Sequence, residues 1–288
     1  MGNSGRDIKR RIQSVKNTQQ ITKAMEMIAA TKLRKAQINV EKARPYQTHL
    51  EASLASALAA AMNEEHELPT IAKETKQERP CLVVFTSDRG LVGAFNANIL
   101  KAAEEYFAEH ENAQVIVIGR QGRDYFNKHN LAYLADFVYI GDSPVFAQAN
   151  DISQVIQDFY LNDIIDRVDL LYTAFVSPIT QRLTRQQILP VGELAVPEGH
   201  QAAPFYIYEP SVEEVLASMI PLYLSTTIYH AILESSASEY ASSMNAMRNA
   251  SDNAAELIEE LNLSFNRYRQ RVITTEISEI VGGAEALG

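Results

Sequence analysis

From Tyr240 to Val272 the chain places small or apolar residues in strict four-three alternation: Tyr240, Met244, Met247, Ser251, Ala254, Ile258, Leu261, Phe265, Tyr268 and Val272. That spacing lines one face of a helix with a continuous seam, and a seam of this length requires a second helix beside it. Traced back past Pro221 to about Glu213, the predicted helix meets no interior glycine until Gly282. At 1.5 Å per residue it is on the order of 100 Å long, far beyond an ordinary globular helix.

The amino terminus supplies the partner. Between Arg6 and Met62 there is no glycine and one proline, Pro45, and the segment is rich in Ala, Lys, Gln, Glu and Met. Those residues favour helix. A seam runs through Leu33, Ala36, Val40, Ala43, Gln47, Leu50, Leu54, Ala57 and Ala61, with Ile8, Ile12, Val15, Ile21, Met25 and Ile28 before it. Pro45 removes one intrahelical hydrogen bond, but the phase passes through it, which predicts a single helix. Charge favours antiparallel pairing. Residues 1–44 carry eleven Lys and Arg against Asp7, Glu26 and Glu41, whereas Glu213 to the end carries eleven acids against Arg248, Arg267, Arg269 and Arg271. The termini are electrostatic opposites.

Between them the texture changes after the polar stretch 63–80. Strands are predicted at Cys81–Ser87, Gln114–Gly119, Leu134–Tyr139, Val168–Ser177 and Leu183–Leu189, and helices at Asn96–His110, Gln121–His129 and Phe146–Asn162. The alternation reads as βαβ units on a largely parallel sheet. The fold class is thus α/β plus a long antiparallel coiled coil, with a Rossmann-like α/β domain inserted between the terminal helices. The expected boundaries are 1–62, 63–210 and 211–288.

Function classes narrow by exclusion. The lone Cys81 makes neither an internal disulfide nor a cysteine zinc site, which fits a reducing cytoplasm. The first residues lack the apolar run of a signal peptide, and no stretch approaches the roughly 20 apolar residues that span a bilayer. Six scattered histidines form no HExxH, and there is no GxSxG, so neither a metal nor a nucleophile is expected. Ser87-Asp88-Arg89-Gly90-Leu91-Val92-Gly93-Ala94-Phe95-Asn96 follows a strand and opens a helix, where backbone amides hold phosphate in nucleotide-binding folds. It lacks the third glycine of a dinucleotide loop and the Lys-Ser/Thr of a P-loop. The preferred reading is a tight strand-to-helix turn with Asp88 capping it. The Lys32, Arg34 and Lys35 cluster has no aromatic stacking residues nearby, so a protein partner is favoured over nucleic acid. The tail from Ile277 to Gly288 ends on small and apolar residues, which calls for a surrounding sleeve.

At these residues the chain resembles the F-type ATP synthase gamma family along its whole length. Ile21-Thr22-Lys23-Ala24-Met25-Glu26-Met27-Ile28-Ala29-Ala30 resembles ITKAMxMVA, and Ser87 to Asn96 resembles SDRGLxGxxN. Asn266 to Thr274 is similar to NxxRQxxIT, and Glu276 to Leu287 to TxELxEIxxGAxAL. The resemblance implies a non-catalytic central shaft without cofactor or metal, turning inside a hexamer of alpha and beta subunits and meeting the epsilon subunit and the membrane c-ring. Carried over, Arg269, Gln270 and Thr274 contact the beta catch loops, and Lys23 and Met25 the beta lever. Ile277, Ile280, Val281, Ala284 and Leu287 sit in the upper bearing. Tyr206, Tyr208 and Glu209 form the foot. Two departures stand out: Ser243 precedes Met244 where many members have Arg, and Val92 replaces a frequent Cys or Ala. Without paired cysteines in an inserted loop or a transit peptide, the chain looks bacterial, which implies the cytoplasmic face of the inner membrane.

Overall fold

The computed structural model describes residues 5–63, 68–73, 78–140, 144–191, 206 and 208–285. The terminal helices are α1 (Gly5–Asn63) and α5 (Val212–Glu285), each continuing through its single internal proline, Pro45 and Pro221. Contacts divide the chain into two compact units, one of Ala30–Ser242 and one of Met1–Ala29 with Ser243–Gly288.

The first unit is built on five strands, β1 (Pro80–Phe85), β2 (Gln114–Ile118), β3 (Ala135–Phe137), β4 (Arg167–Phe175) and β5 (Gln181–Leu189). Their order is β3-β2-β1-β4-β5, parallel except for β5, which runs antiparallel to β4. Three helices connect them: α2 (Phe95–Glu109), α3 (Arg120–Lys128) and α4 (Phe146–Leu161). Every residue of β1 is buried, as expected for a central strand covered on both faces. Alternate side chains supply the two cores. Cys81, Val83 and Phe85 pack with Ile152 and Ile156 of α4, Leu54 and Ala57 of α1, and Leu216 and Ile220 of α5. Leu82 and Val84 pack with Ile99 and Ala103 of α2 and Phe126 of α3.

The sheet-covering part of α5 corrects one sequence expectation. The helix contains an 18-residue window apolar enough, by length and composition, to cross a bilayer. Most of that window is buried inside the protein. Tyr223, Leu224, Ile228, Ala231, Ile232 and Leu233 are all within 3% of full burial, so the segment is apolar on nearly every side, as a core helix is.

In the second unit the residues of α1 descend as those of α5 ascend. Tyr268 lies over Gly5, where an added Cβ would come within 2.6 Å of the ring, and Thr22 meets Ser251. On α5 the alternation read from the sequence stays buried or half-buried at Met247, Ser251, Ala254, Ile258, Leu261, Phe265, Tyr268 and Val272. On α1 the matching four-three positions, all buried or half-buried, are Ile8, Ile12, Val15, Gln19, Thr22, Glu26 and Ala29. Here the expectation fails for three residues. Ile21 and Ile28 are 60% and 57% exposed and Met25 is half-buried off the seam. A four-three count carried forward from Val15 lands on Gln19, Thr22 and Glu26. Keeping that phase leaves the backbone ladder intact, so geometry decides against local hydrophobicity.

Candidate functional site

The Ser87–Asn96 turn lies at the carboxyl edge of the sheet, where open α/β folds bind ligands. Its polar groups are spent on one another. Ser87 N–H donates to Asn96 Oδ1 at 3.0 Å, Asn96 Nδ2 donates to Ser87 Oγ at 2.8 Å, and Ser87 Oγ donates to the Arg89 carbonyl at 2.6 Å. Asp88 does not cap its own turn, contrary to expectation. Its Oδ1 accepts from Arg120 N at 2.9 Å and Tyr139 N at 3.1 Å, capping the start of α3 and fastening the segment after β3. The first donor of the neighbouring helix is thereby satisfied by a fixed carboxylate, and the next two go to the Ser87 carbonyl at 3.0 Å and to Thr86 Oγ1 at 2.9 Å. Gly119 sits beside this cap at φ 97°, and an added Cβ would lie 2.1 Å from the Thr86 carbonyl oxygen, so no side chain fits there.

Helix α5 closes the crevice. Ser242 Oγ donates to the Val92 carbonyl at 2.6 Å, Ser238 Oγ to the Thr173 carbonyl at 2.9 Å, and Phe175 N–H to Glu234 Oε2 at 2.8 Å. The cavity remaining among Thr86, Asp88, Gly119, Ile140, Ser235 and Glu239 has about 40 Å³, against the several hundred of a nucleotide or cofactor pocket. Glu234 also accepts from Arg44 Nη2 of α1 at 3.1 Å and lies 3.5 Å from His230 Nε2. Burial pushes the His230 pKa down, partly opposed by the Glu234 charge. Cys81 is completely buried, and burial followed by the Asp169 charge pushes its thiol up, so no thiolate nucleophile forms there. Among the described residues no three His, Cys, Asp or Glu side chains cluster as a metal site.

The residues carried over from the resemblance lie elsewhere. Arg269, Gln270 and Thr274 are exposed on α5, off the seam, with Thr274 Oγ1 returning to the Gln270 carbonyl at 2.9 Å. Ile277, Ile280 and Val281 are 56%, 72% and 58% exposed, Ala284 is exposed, and Leu287 lies outside the described residues. Such apolar exposure at one helix end marks an interaction surface. On α1, Lys23 Nζ donates to Glu26 Oε2 at 2.9 Å, while Met25 stays half-buried. In the sheet-bearing unit, Tyr206 is exposed, Tyr208 is partly buried and their ring centres are 6.2 Å apart. With exposed Glu209 they border a surface groove of about 320 Å³ shared with Ser53, Val215 and Met219. Sequence reasoning missed the Glu26–Arg248 pair, 3.2 Å between Arg248 Nε and Glu26 Oε1. The four-three count itself carried the signal, since it puts a glutamate in a seam.

The family model described as ATP synthase matches residues 4–287. The chain is 44% identical to the ATP synthase gamma chain of Heliobacterium modesticaldum over 98% of its length and 99% of the relative's. It is also 44% identical to the ATP synthase gamma chain of Symbiobacterium thermophilum, over 100% of this chain and 99% of that one. Among solved structures, a chain of the central stalk and c-ring of the Tetrahymena thermophila mitochondrial ATP synthase superposes with a TM-score of 0.64 at 27% identity, covering 80% of this chain and 99% of that one. A chain of the Euglena gracilis mitochondrial ATP synthase, at 17% identity and a TM-score of 0.68 over 98% and 94%, shows the same fold. With a family model spanning nearly the whole sequence and full-length relatives at this identity, the chain belongs to the ATP synthase gamma chain family.

Proposed function

We propose that this chain is the central rotor shaft of a proton-translocating ATP synthase and carries no active site. The supporting observation is the division of labour along α5. Over the sheet it fills the crevice where a nucleotide would bind, and towards its carboxyl end it exposes Ile277, Ile280 and Val281 to a partner. The two terminal helices form an antiparallel coiled coil, residues 1–62 and 211–288. A Rossmann-like domain, 63–210, is inserted between them. The coiled coil turns inside a hexamer of three alpha and three beta subunits, with Arg269, Gln270 and Thr274 on the catch loops and Lys23 and Met25 on the lever. Ile277, Ile280, Val281, Ala284 and Leu287 run in the bearing, and Tyr206, Tyr208 and Glu209 meet the epsilon subunit and the membrane c-ring. Asymmetry of the shaft forces the beta sites into different conformations in turn, which couples proton flow to ATP synthesis. The shaft thereby regulates ATPase activity and proton flow from the cytoplasmic face of the bacterial membrane.

Affinity purification through a tag on this chain from gently solubilised membranes, followed by native mass spectrometry, tests the reading. One copy with three alpha and three beta subunits is expected. A homogeneous homo-oligomer that retains nucleotide overturns it.

A further inference from the structure

The seam of the two-helix unit is apolar at Ile8, Ile12 and Val15 on α1 and at Ile258, Leu261 and Phe265 on α5. It then turns polar for three successive α1 positions, Gln19, Thr22 and Glu26. Thr22 Oγ1 and Ser251 Oγ lie 2.7 Å apart, and Gln19 Nε2 donates to the Ser251 carbonyl at 3.5 Å. Glu26 is only 7% exposed, yet both carboxylate oxygens are engaged, by Arg248 Nε from α5 at 3.2 Å and by Lys23 Nζ at 2.9 Å.

An apolar seam is degenerate under a shift of one heptad, because each shifted position again meets an apolar or small residue. A polar layer removes that degeneracy, which is the best-attested use of buried polar groups in helix pairs. The pairings Gly5–Tyr268, Thr22–Ser251 and Glu26–Arg248 put Ile12 at the level of Leu261. A one-heptad slip brings Ile12 to Tyr268 or Ala254, both tolerable. The slip towards the carboxyl end of α5 leaves Glu26 buried at the level of Ala254 and Ala255 without its arginine. A buried charge that loses its cross-helix arginine and keeps only the largely exposed Lys23 of its own helix is unfavourable, so this layer disfavours the slipped alignment.

We propose that Gln19, Thr22 and Glu26, with Arg248 and Ser251, form a register stop that holds the two helices in a single axial alignment. The stop is a property of this chain alone. Only its use, making both helices turn as one body under load, rests on the shaft reading.

Disulfide trapping in the purified full-length chain tests it, with Cys81 left buried in place. Ile12→Cys with Leu261→Cys reports the observed alignment, and Ile12→Cys with Tyr268→Cys or with Ala254→Cys reports a slip of one heptad either way. In the natural background only the first pair is expected to oxidise. In a chain carrying Gln19→Leu, Thr22→Val, Glu26→Leu, Arg248→Leu and Ser251→Ala, the offset pairs are expected to gain about tenfold in yield. The melting temperature stays the same or rises, since an apolar replacement for a buried ion pair is neutral or stabilising. Should that chain fail to fold, Glu26→Gln alone serves, with the same expectation of offset crosslinks. Offset pairs that remain silent in a folded variant of either kind overturn the stop, whatever the chain is later found to assemble with.

Discussion

Single carboxylates do several different jobs in this chain. Asp88 gathers two backbone donors from segments 32 and 51 residues away, so it fixes the carboxyl edge of the sheet from the loop rather than serving the loop. Asp88→Ala leaves both N–H groups without an acceptor and is expected to cost about 1–3 kcal/mol in urea titrations followed by circular dichroism. Asp88→Asn, which keeps an acceptor oxygen, should cost less. Glu26 and Glu51 have pKa values moved in opposite directions. The Lys23 hydrogen bond, assisted by Arg248 and opposed by burial, holds the Glu26 carboxyl below its ordinary value. Its contribution is present above the unfolded pKa and is lost as pH falls through the lower folded value. Burial raises Glu51 despite the hydrogen bond from Gln47. The favourable linkage of Glu51 is therefore present below its unfolded pKa and is lost as pH rises through the folded one. Glu51→Gln should accordingly raise the urea midpoint at pH 7 relative to the natural chain, with the difference shrinking towards pH 4. An unchanged or lowered midpoint at pH 7 would contradict the burial of that charge.

At the scale of elements, α1 shows that a helix follows its phase. Ile21 and Ile28 face outward, so the double change Ile21→Gln with Ile28→Gln should move stability by less than about 0.5 kcal/mol while weakening assembly with a partner sleeve. Leu54→Ala, made in the same helix where Leu54 is fully buried, should cost about 2–5 kcal/mol. A large loss of thermal stability from the first change would place the isoleucines back in the seam. The strands were legible in the sequence as short β-rich apolar runs between helical segments, and the α5 seam as a sustained 3.5-residue period. The α1 seam was legible only from Leu33 onward and up to Val15. Between them apolar residues lie on the outer face, and hydrophobicity alone points the wrong way. Opposite charge on the termini was a sound guide to Arg44 with Glu234, whereas in the two-helix unit the pairing uses the minority charges, an acid of the basic helix and a base of the acidic one. Bulk charge counts do not resolve a single layer. Nor did the sequence reveal the duty of Asp88, since its partners are set by strand order rather than by neighbourhood.

Across the whole molecule, chemistry and mechanics are separated by where side chains are left free. The sheet has a ligand-binding edge by topology, yet Asn96, Ser238, Ser242 and Glu234 use its donors and acceptors internally. Arg269 and Gln270, by contrast, are exposed on α5 just off the seam, and Tyr268 and Val272 on either side of them carry the packing. Replacing both with Ala removes no seam contact and no buried group, so the purified chain should keep its melting temperature to within about 0.5 kcal/mol in stability. In membranes the complex should still assemble, because the residues proposed for the bearing and the foot are untouched. What should fall is proton-driven ATP synthesis, by about tenfold if the pair supplies one polar contact's worth of transmission. Synthesis and complex yield must be measured on the same vesicles, since only their ratio separates a weak grip from poor assembly. A double variant that assembles and synthesises ATP at the natural rate would remove these two residues from the transmission of torque and leave the grip to the seam-flanking apolar surface alone.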